Sequence, residues 1–582
     1  MGSHQDSLNQ PALALSLLTA LKQAGLKPVD NFAVTVPKDR THGDLTSDLA
    51  LRAAKENQLP PRELADKILD SLTKPNTIAV AKVAGAGYLN FGLSEVGWQE
   101  LLETWQEQTI WQSKNYAGQV VVVEFSSPNI GKPFAVGHLR STILGSVTAR
   151  LYEQSGAKVI RVNHIGDWGT QFGKLIYALN EWGEEEQLAE EPIKYLLELY
   201  VRFHDEAEKD NSLNDQAREI FKRLEEGDET IKEQWQLVVD ISMKEYDKLY
   251  RKLGIKFDHA KDRGESFYTI EMMEVVLVEL KEKGLVRKSE GAEVLFFPND
   301  ELPSTILKRS DGATVYLLRD LAALKYRLQE WRADRVIYHI GSEQELHFRQ
   351  LVKTAELAGW LDNNQVIVTA HHGRYRLASG EMSTRKGKVI LLDDLLKRGV
   401  EAARDLIKLK DSQIKPPELD ELAEKMSLSA IKYNDLAHNR TSPIIFEWGN
   451  ALNLEGNSAP YLMYTNARIH GLFRQAGREF GQVNPEVSLV SPLLSSQKER
   501  SLILSVITLH QNFLAATAKA LPHLIADGLF NLAQDFNSFY NETKILTDDA
   551  KMTEAKLFIS QLVGQTLASG LQLLGVATPD RL

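Results

Sequence analysis

Three short segments hold residues whose types and spacing suit chemistry. The first runs Ser126-Ser127-Pro128-Asn129-Ile130-Gly131-Lys132-Pro133-Phe134-Ala135-Val136-Gly137-His138-Leu139-Arg140-Ser141-Thr142. A Gly-His pair that opens a helix offers close backbone approach, an imidazole and the positive end of the helix dipole, all suited to a polyphosphate. The second, Met382-Ser383-Thr384-Arg385-Lys386-Gly387-Lys388, carries three cations and two hydroxyls shortly after a strand-like stretch. Such a loop can close on phosphates and stabilise charge as a leaving group departs. In the third, Tyr316-Leu317-Leu318-Arg319-Asp320, the tyrosine and the aspartate are four apart and share one face of a helix. Taken singly, each has an ordinary reading: a satisfied histidine, a solvated basic loop, an amphipathic helix.

The elements around these segments place them. Residues 119–125 (QVVVVEF) form a β-branched run that suits a buried parallel strand. A loop at 126–138, a helix-like run to about 154 and a strand at 158–163 (KVIRVN) complete strand, helix, strand, the first unit of a doubly wound sheet. Ligands in such sheets bind beyond the carboxyl ends of the strands, where the loop after Phe125 lies. Residues 181–258 read as mainly helical and interrupt the sheet. Strand patterns return at 285–287, 292–297, 335–340 and 365–370, with a turn at Asp311-Gly312. Upstream, 11–24, 48–56 and 61–72 read as helices, and 32–36 and 77–91 as strands. Beyond about 400 the chain reads as helices with short breaks. No internal repeat is visible.

A chain of 582 residues exceeds one core and predicts about three to four domains. The pattern is multidomain α/β: a small α+β unit at 1–115, a Rossmann-like parallel-sheet domain at 116–398 with a helical insertion at about 181–265, and an all-α domain at 399–582 whose core begins near 455. With 43% hydrophobic and 25% charged residues the composition is that of a globular protein. No apolar run approaches the ~20 residues of a membrane span. Residues 1–5 lack the basic and apolar regions of a secretory signal, so a cytoplasmic protein without membrane association is expected. The absence of cysteine excludes disulfides, thiol catalysis and Cys-ligated zinc. The net charge of −11 opposes uniform wrapping by nucleic acid but not binding through a local basic face. Part of that charge lies in one stretch, from Glu181 to Glu191, which reads as a solvated helix face.

The first segment resembles the signature of class I aminoacyl-tRNA synthetases, in the long form typical of the arginyl-tRNA synthetase family. Asn163-His164-Ile165-Gly166-Asp167-Trp168-Gly169-Thr170-Gln171-Phe172-Gly173 is similar to that family's next motif. Ile340-Gly341-Ser342-Glu343-Gln344 and the Met382 loop resemble its later nucleotide-site motifs. Residues 433–440, 456–464, 536–540 and 573–581 resemble its C-terminal motifs. The likeness covers nearly the whole chain in the family's order.

The resemblance implies an ATP-dependent arginine–tRNA ligase, with L-arginine, ATP and tRNA(Arg) as partners and ATP as substrate with Mg²⁺. The lack of cysteine and of zinc-spaced histidines predicts no zinc, and a monomer is expected. The resemblance further implies that Ser127, Asn129, His138 and Gln344 hold the amino and carboxylate end of arginine, while Glu124, Tyr316 and Asp320 line a guanidinium pocket. Paired carboxylates suit a planar, permanently charged guanidinium and reject neutral amino acids. It places ATP over Lys132, Gly137 and His138, with adenine near Gly341, Met382 and Ser383. His138, Lys132, Arg385 and Lys386 would stabilise the developing phosphoryl charge. The N-terminal unit, with 41–45 (THGDL) and 85–91 (GAGYLNF), would meet the corner of the tRNA. The C-terminal helices would be an anticodon-binding domain, read through Tyr461, Tyr464, Asn466, Arg468, Phe539 and Tyr540. Unstacked bases are usually read by aromatic stacking and edge hydrogen bonds.

Two positions depart from the pattern. Ala135 stands where the signature's first histidine is expected, and Glu381 stands for the first lysine of the later loop, with Thr384-Arg385 altered beside it. Lys132 could supply a substitute cation. A non-catalytic paralogue is the rival reading these departures raise. A dinucleotide-dependent oxidoreductase is opposed by Ser-Ser-Pro-Asn after the first strand, where a Gly-x-Gly-x-x-Gly turn is needed.

Overall fold

The computed structural model describes residues 10–582 except 30, 108, 135, 259–263, 378–391 and 411–413, with backbone alone for Gln10, Pro11, Leu377 and Lys410. A four-stranded parallel sheet lies at the centre, in the order Val366–His372, Arg335–Gly341, Val120–Glu124, Lys158–Val162. Val121, Val122 and Val123 are fully buried, as a β-branched strand covered on both faces requires. The helix Val136–Gln154 makes the first crossover. Its Gly145 sits where a Cβ would lie 2.2 Å from the Phe125 side chain, so only glycine lets helix and strand approach.

From Val120–Glu124 the chain runs to Lys158–Val162 on one side, and the later strands add on the other. The crevice between Val120–Glu124 and Arg335–Gly341 is therefore the topological switch point, where a ligand fits such a sheet. The sequence-predicted insertion is four helices, Glu185–Glu190, Pro192–Lys209, Ser212–Glu225 and Glu229–Lys252. The chain between insertion and sheet forms a three-stranded antiparallel sheet, Val286–Ser289, Ala292–Leu295 and Thr305–Lys308. Its last strand escaped the sequence reading. The turn expected at Asp311-Gly312 is present: Asp311 Oδ1 accepts from Ala313 N at 3.0 Å, and Lys308 bridges Thr314.

The N-terminal unit is an antiparallel sheet ordered Val34–Thr35, Leu45–Ser47, Tyr88–Leu93, Ile78–Ala84, with helices Leu49–Asn57 and Pro61–Asp70 upon it. The stretch 77–91, read as one strand-like run, is a hairpin. Gly85 and Gly87 take φ of +55° and +129° in its turn, a conformation glycine adopts without Cβ strain. The unit rests on the C-terminal helices: Trp105 Nε1 donates to Thr566 Oγ1 at 2.8 Å, and Gln511 Nε2 donates to Val34 O at 2.8 Å.

Those helices, Ala459–Gln475, Gln497–Lys519, His523–Glu542 and Ala550–Leu574, close the chain. The second and fourth are long and apolar enough to cross a membrane by length and composition, which the sequence reading did not anticipate. Their apolar residues, among them Val506, Phe513, Ile559 and Val563, are buried in the bundle. A short parallel pair, Tyr375–Leu377 with Ile444–Phe446, joins the sheet domain to the helices after it. Neither strand shows period-two alternation long enough to read from sequence.

Candidate active site at the carboxyl end of the sheet

The loop after Val120–Glu124 is built under local strain. Ser126 and Ser127 take φ of +75° and +47°, the left-handed region that costs L residues energy. Side chains hold them there. Ser141 Oγ accepts from Ser126 N at 3.1 Å and donates to His339 O at 2.9 Å. Asn163 Oδ1 accepts from Ser127 N at 3.1 Å. Asn129 is exposed, and its Oδ1 lies where a Cβ on Gly166 would clash at 2.4 Å, so the glycine of the second motif admits the asparagine of the first.

The helix then opens with Gly137, exposed, and His138, partly buried against the Phe134 ring at 5.3 Å. A Cβ on Gly137 would meet nothing within 4 Å among the described residues. These residues make no demand for glycine there, and the space they leave beside it is open. Gly341 and Gln344 stand across the crevice, at and just after the end of Arg335–Gly341, with Gln344 exposed. Lys132 Nζ lies 4.5 Å from the centre of the Tyr200 ring, a cation–π contact with the helical insertion. His372, one of an adjacent pair, is a packed group: burial, with Arg140 and Arg440 nearby, lowers it to about 4 and keeps it neutral.

Asp320 lies on the first turns of the helix Tyr316–Gln329, with Tyr316 exposed at its start. The Asp320 carboxylate meets His347 Nε2 at 2.6 Å and His164 Nε2 at 3.6 Å. Burial alone would raise this carboxyl; the two imidazoles outweigh burial and hold it well below the ordinary carboxylate range. His164 answers in the other direction: Asp320, with Glu124 nearby, overcomes its burial and raises it. Beside them Arg319 Nη1 pairs with Glu265 Oε2 at 3.1 Å. Burial raises the Glu265 carboxyl to about 7 against the pull of His164 and Arg319.

Glu124, expected to line a guanidinium pocket, already has a partner within the protein. Its Oε2 lies 2.5 Å from Arg327 Nη1, with both side chains buried. The protein's own guanidinium fills that acceptor, whereas the Asp320 side chain keeps 23% exposure. His347, His164, Arg327 and Glu265 escaped the sequence reading as contributors here. His164 stood inside a quoted motif, but nothing in the spacing joined it to Asp320. Ala135, Met382, Ser383, Arg385 and Lys386 lie outside the described residues.

In the C-terminal bundle Arg468 sits 5.1 Å from the Tyr464 ring centre and 5.3 Å from that of Tyr540, and its Nη1 donates to Asn537 Oδ1 at 2.6 Å. Asn537 Nδ2 also donates to Tyr461 OH at 3.0 Å. Tyr464 is 40% exposed. Phe539 is fully buried beside Phe536, and Asn466 is buried with Nδ2 on Pro579 O at 3.1 Å. Both are packing residues with no face for a base, a correction to the expected reading set.

Three family models match in order along the chain. Residues 12–93 match the arginyl tRNA synthetase N terminal domain, residues 100–448 the catalytic domain of tRNA synthetases class I (R), and residues 462–582 the DALR anticodon binding domain. The arginine–tRNA ligase of Clostridioides difficile (strain 630) is 35% identical over 555 residues, 94% of this chain and 95% of its own length. The chain belongs to the arginyl-tRNA synthetase family. Another relative, the arginine–tRNA ligase of Halothermothrix orenii, is 36% identical over 86% of this chain and 88% of its own. The crystal structure of arginyl-tRNA synthetase from Plasmodium falciparum superposes with a TM-score of 0.83 at 26% identity, covering 99% of both chains. That of Thermus thermophilus gives 0.83 at 25% identity, over 99% of this chain and 100% of that one. The expected resemblance and fold class are thereby borne out. The parallel sheet is the catalytic domain of an aminoacyl-tRNA ligase, whose class uses ATP as substrate, and the closing helices are the DALR anticodon-binding domain.

Proposed function

We propose that this arginine–tRNA ligase receives L-arginine at the switch point of its sheet with the guanidinium on Asp320. The observation that carries the reading is the Asp320 carboxylate, kept anionic between two imidazoles at the edge of the crevice. Tyr316 offers its phenol from the same helix face. Ser127, Asn129, His138 and Gln344 take the amino and carboxylate end. Glu124 acts behind the pocket through Arg327, and its charge sustains His164.

ATP then lies over Gly137 and His138, and the open face of Gly137 supports this. The adenine is assigned to the side of Gly341 and of Met382-Ser383. The carboxylate oxygen of arginine attacks the α-phosphorus, and the bond to the bridging oxygen breaks as pyrophosphate leaves. His138, with Lys132, Arg385 and Lys386, donates to the phosphoryl oxygens as charge moves outward. Lys132 must leave the Tyr200 ring to do so. A ribose hydroxyl of the tRNA end next attacks the acyl carbonyl and releases AMP. Mg²⁺ is expected to come with the polyphosphate. Among the described residues no three His, Asp or Glu side chains gather to hold a metal. A monomer working in the cytoplasm, with domains divided near 115 and 398, completes the reading. The anticodon is assigned to the Tyr461, Tyr464, Arg468 and Tyr540 surface, and the corner of the tRNA to the N-terminal unit.

Pyrophosphate exchange with ATP and tRNA tests it, comparing arginine with lysine and with citrulline, its neutral isostere. Exchange with arginine alone is expected. Equal exchange with citrulline would remove the need for the Asp320 anion.

A further inference from the structure

Arg140 lies two residues after His138 on the helix Val136–Gln154 and is fully buried. Two residues turn a helix by about 200°, so Arg140 points away from the crevice and acts on the imidazole only through the helix. Its guanidinium gathers three carbonyls from two separate segments. Nη1 donates to Gly373 O at 2.9 Å and to Ser442 O at 2.6 Å, and Nη2 donates to Asn439 O at 3.2 Å. Nε lies 3.3 Å from Oδ1 of Asp435, also fully buried, on the helix Pro416–Leu436.

The segments so tied are those that frame the site. Gly373 follows the strand Val366–His372 and leads into Tyr375–Leu377. Asn439 and Ser442 lead from the Pro416–Leu436 helix into Ile444–Phe446, which pairs with Tyr375–Leu377. Gly373 N donates to Arg440 O at 2.8 Å, and a Cβ on Gly373 would lie 2.7 Å from the Ser442 carbonyl. The far end of the same helix is also held. Arg150 Nη1 donates to Leu573 O at 2.7 Å, at the close of Ala550–Leu574. The helix that carries the imidazole is thus fixed at both ends to the helices beyond the sheet.

We infer that Arg140 and Asp435 are a positioning pair that sets His138 against the reacting phosphates by locking its helix to the Gly373 and Asn439–Ser442 segments. The inference rests on the reading that His138 serves ATP. A buried ion pair is by itself a weak stabiliser, because desolvation consumes most of its attraction. Here neither Asp435 oxygen nor Arg140 Nε has a hydrogen bond among the described residues. The directional part of the arrangement is the three carbonyls, which fix geometry, and lysine cannot span them from a single nitrogen.

The test uses the full chain and pyrophosphate exchange with arginine, ATP and tRNA, next to a thermal melt. Arg140→Lys is expected to lower kcat by about a hundredfold, the scale of a misplacement near 1 Å, while both KM values stay within about threefold. The double variant Arg140→Met, Asp435→Leu removes both charges together but leaves the three carbonyls without their donor, so it is expected to fold with a lowered melting temperature and not to regain kcat. If either variant folds and keeps kcat within threefold of the parent, the positioning role is overturned. The same holds if kcat recovers in step with stability. Absence of arginine-dependent exchange in the parent overturns instead the functional reading beneath it.

Discussion

His347 Nε2 and Asp320 Oδ2 lie 2.6 Å apart, one on the helix that follows the Gly341 strand and the other on the helix that precedes it. The contact spans the crevice side of the sheet and fixes the carboxylate before any ligand arrives. On the proposed reading, an incoming guanidinium would meet an acceptor that is already oriented, so little ordering would remain at binding.

Asp320→Asn should therefore damage the use of arginine far more than that of ATP. Asparagine keeps the shape, removes the charge and turns one acceptor into a donor facing the guanidinium's own N–H groups. Removing one side of such a pair costs about 3–5 kcal/mol, or hundreds to thousands in kcat/KM for arginine. Steady-state exchange with each substrate varied in turn measures it. An arginine KM and kcat/KM within threefold of the parent would place Asp320 outside the pocket.

Glu124→Gln should behave differently, because its partner is Arg327 at 2.5 Å in a buried setting. Leaving Arg327 without its counter-charge costs about 3–5 kcal/mol of stability. Differential melting should show a large loss for Glu124→Gln, while the arginine KM of that variant should rise less than that of Asp320→Asn. The double variant Glu124→Gln, Arg327→Met should recover most of it. Equal melting of Glu124→Gln and the parent would return Glu124 to the substrate.

How far the sequence spoke varied with the kind of signal. The strand 119–125 rested on a β-branched run, and the helix after His138 and the mainly helical insertion on helix-like stretches, and these elements formed as read. The strand Thr305–Lys308 and the pair Tyr375–Leu377 with Ile444–Phe446 are short, and tertiary pairing makes them. Motif order pointed to the loops that follow two neighbouring sheet strands, at Ser127 and at Gln344. It could not tell which acids were already paired, since Glu124 and Arg327 are distant in sequence and meet only when strand packs on helix. Nor could it separate Tyr464, partly exposed, from Phe539, buried in the same bundle.

Glu265 gives a pH prediction. Burial raises its carboxyl from an ordinary 4.5 to about 7. A proton held more tightly in the folded state stabilises the fold below the unfolded value, and that contribution is lost as pH rises through the folded one. The loss is at most about 3 kcal/mol. Glu265→Gln mimics the protonated form and should not show it. The melting temperature of the parent, less that of the variant, should fall from about pH 5 to about pH 8. Asp435, raised to about 7 by burial, titrates in both proteins and cancels in the difference. A flat difference across that window would mean that Arg319 keeps Glu265 ionised throughout.

Arg468 separates stacking from charge in tRNA binding. Its guanidinium lies between the Tyr464 and Tyr540 rings and bonds Asn537 Oδ1, so it supports an aromatic platform. Arg468→Ala removes that support, and Tyr464→Ala removes a face of the platform. Loss of one stacked base typically costs about 1–3 kcal/mol. Each variant should weaken tRNA binding by roughly five- to a hundredfold on that scale. The dependence of affinity on salt distinguishes the roles. Every phosphate contact adds about 0.7–0.9 to the slope of log affinity against log salt, whereas stacking adds nothing. The slope should therefore stay steep and unchanged in both variants while the lines shift to weaker binding. A slope lowered by about one unit in Arg468→Ala would make the residue a phosphate contact. Affinity within twofold of the parent in both variants would remove this surface from the anticodon site.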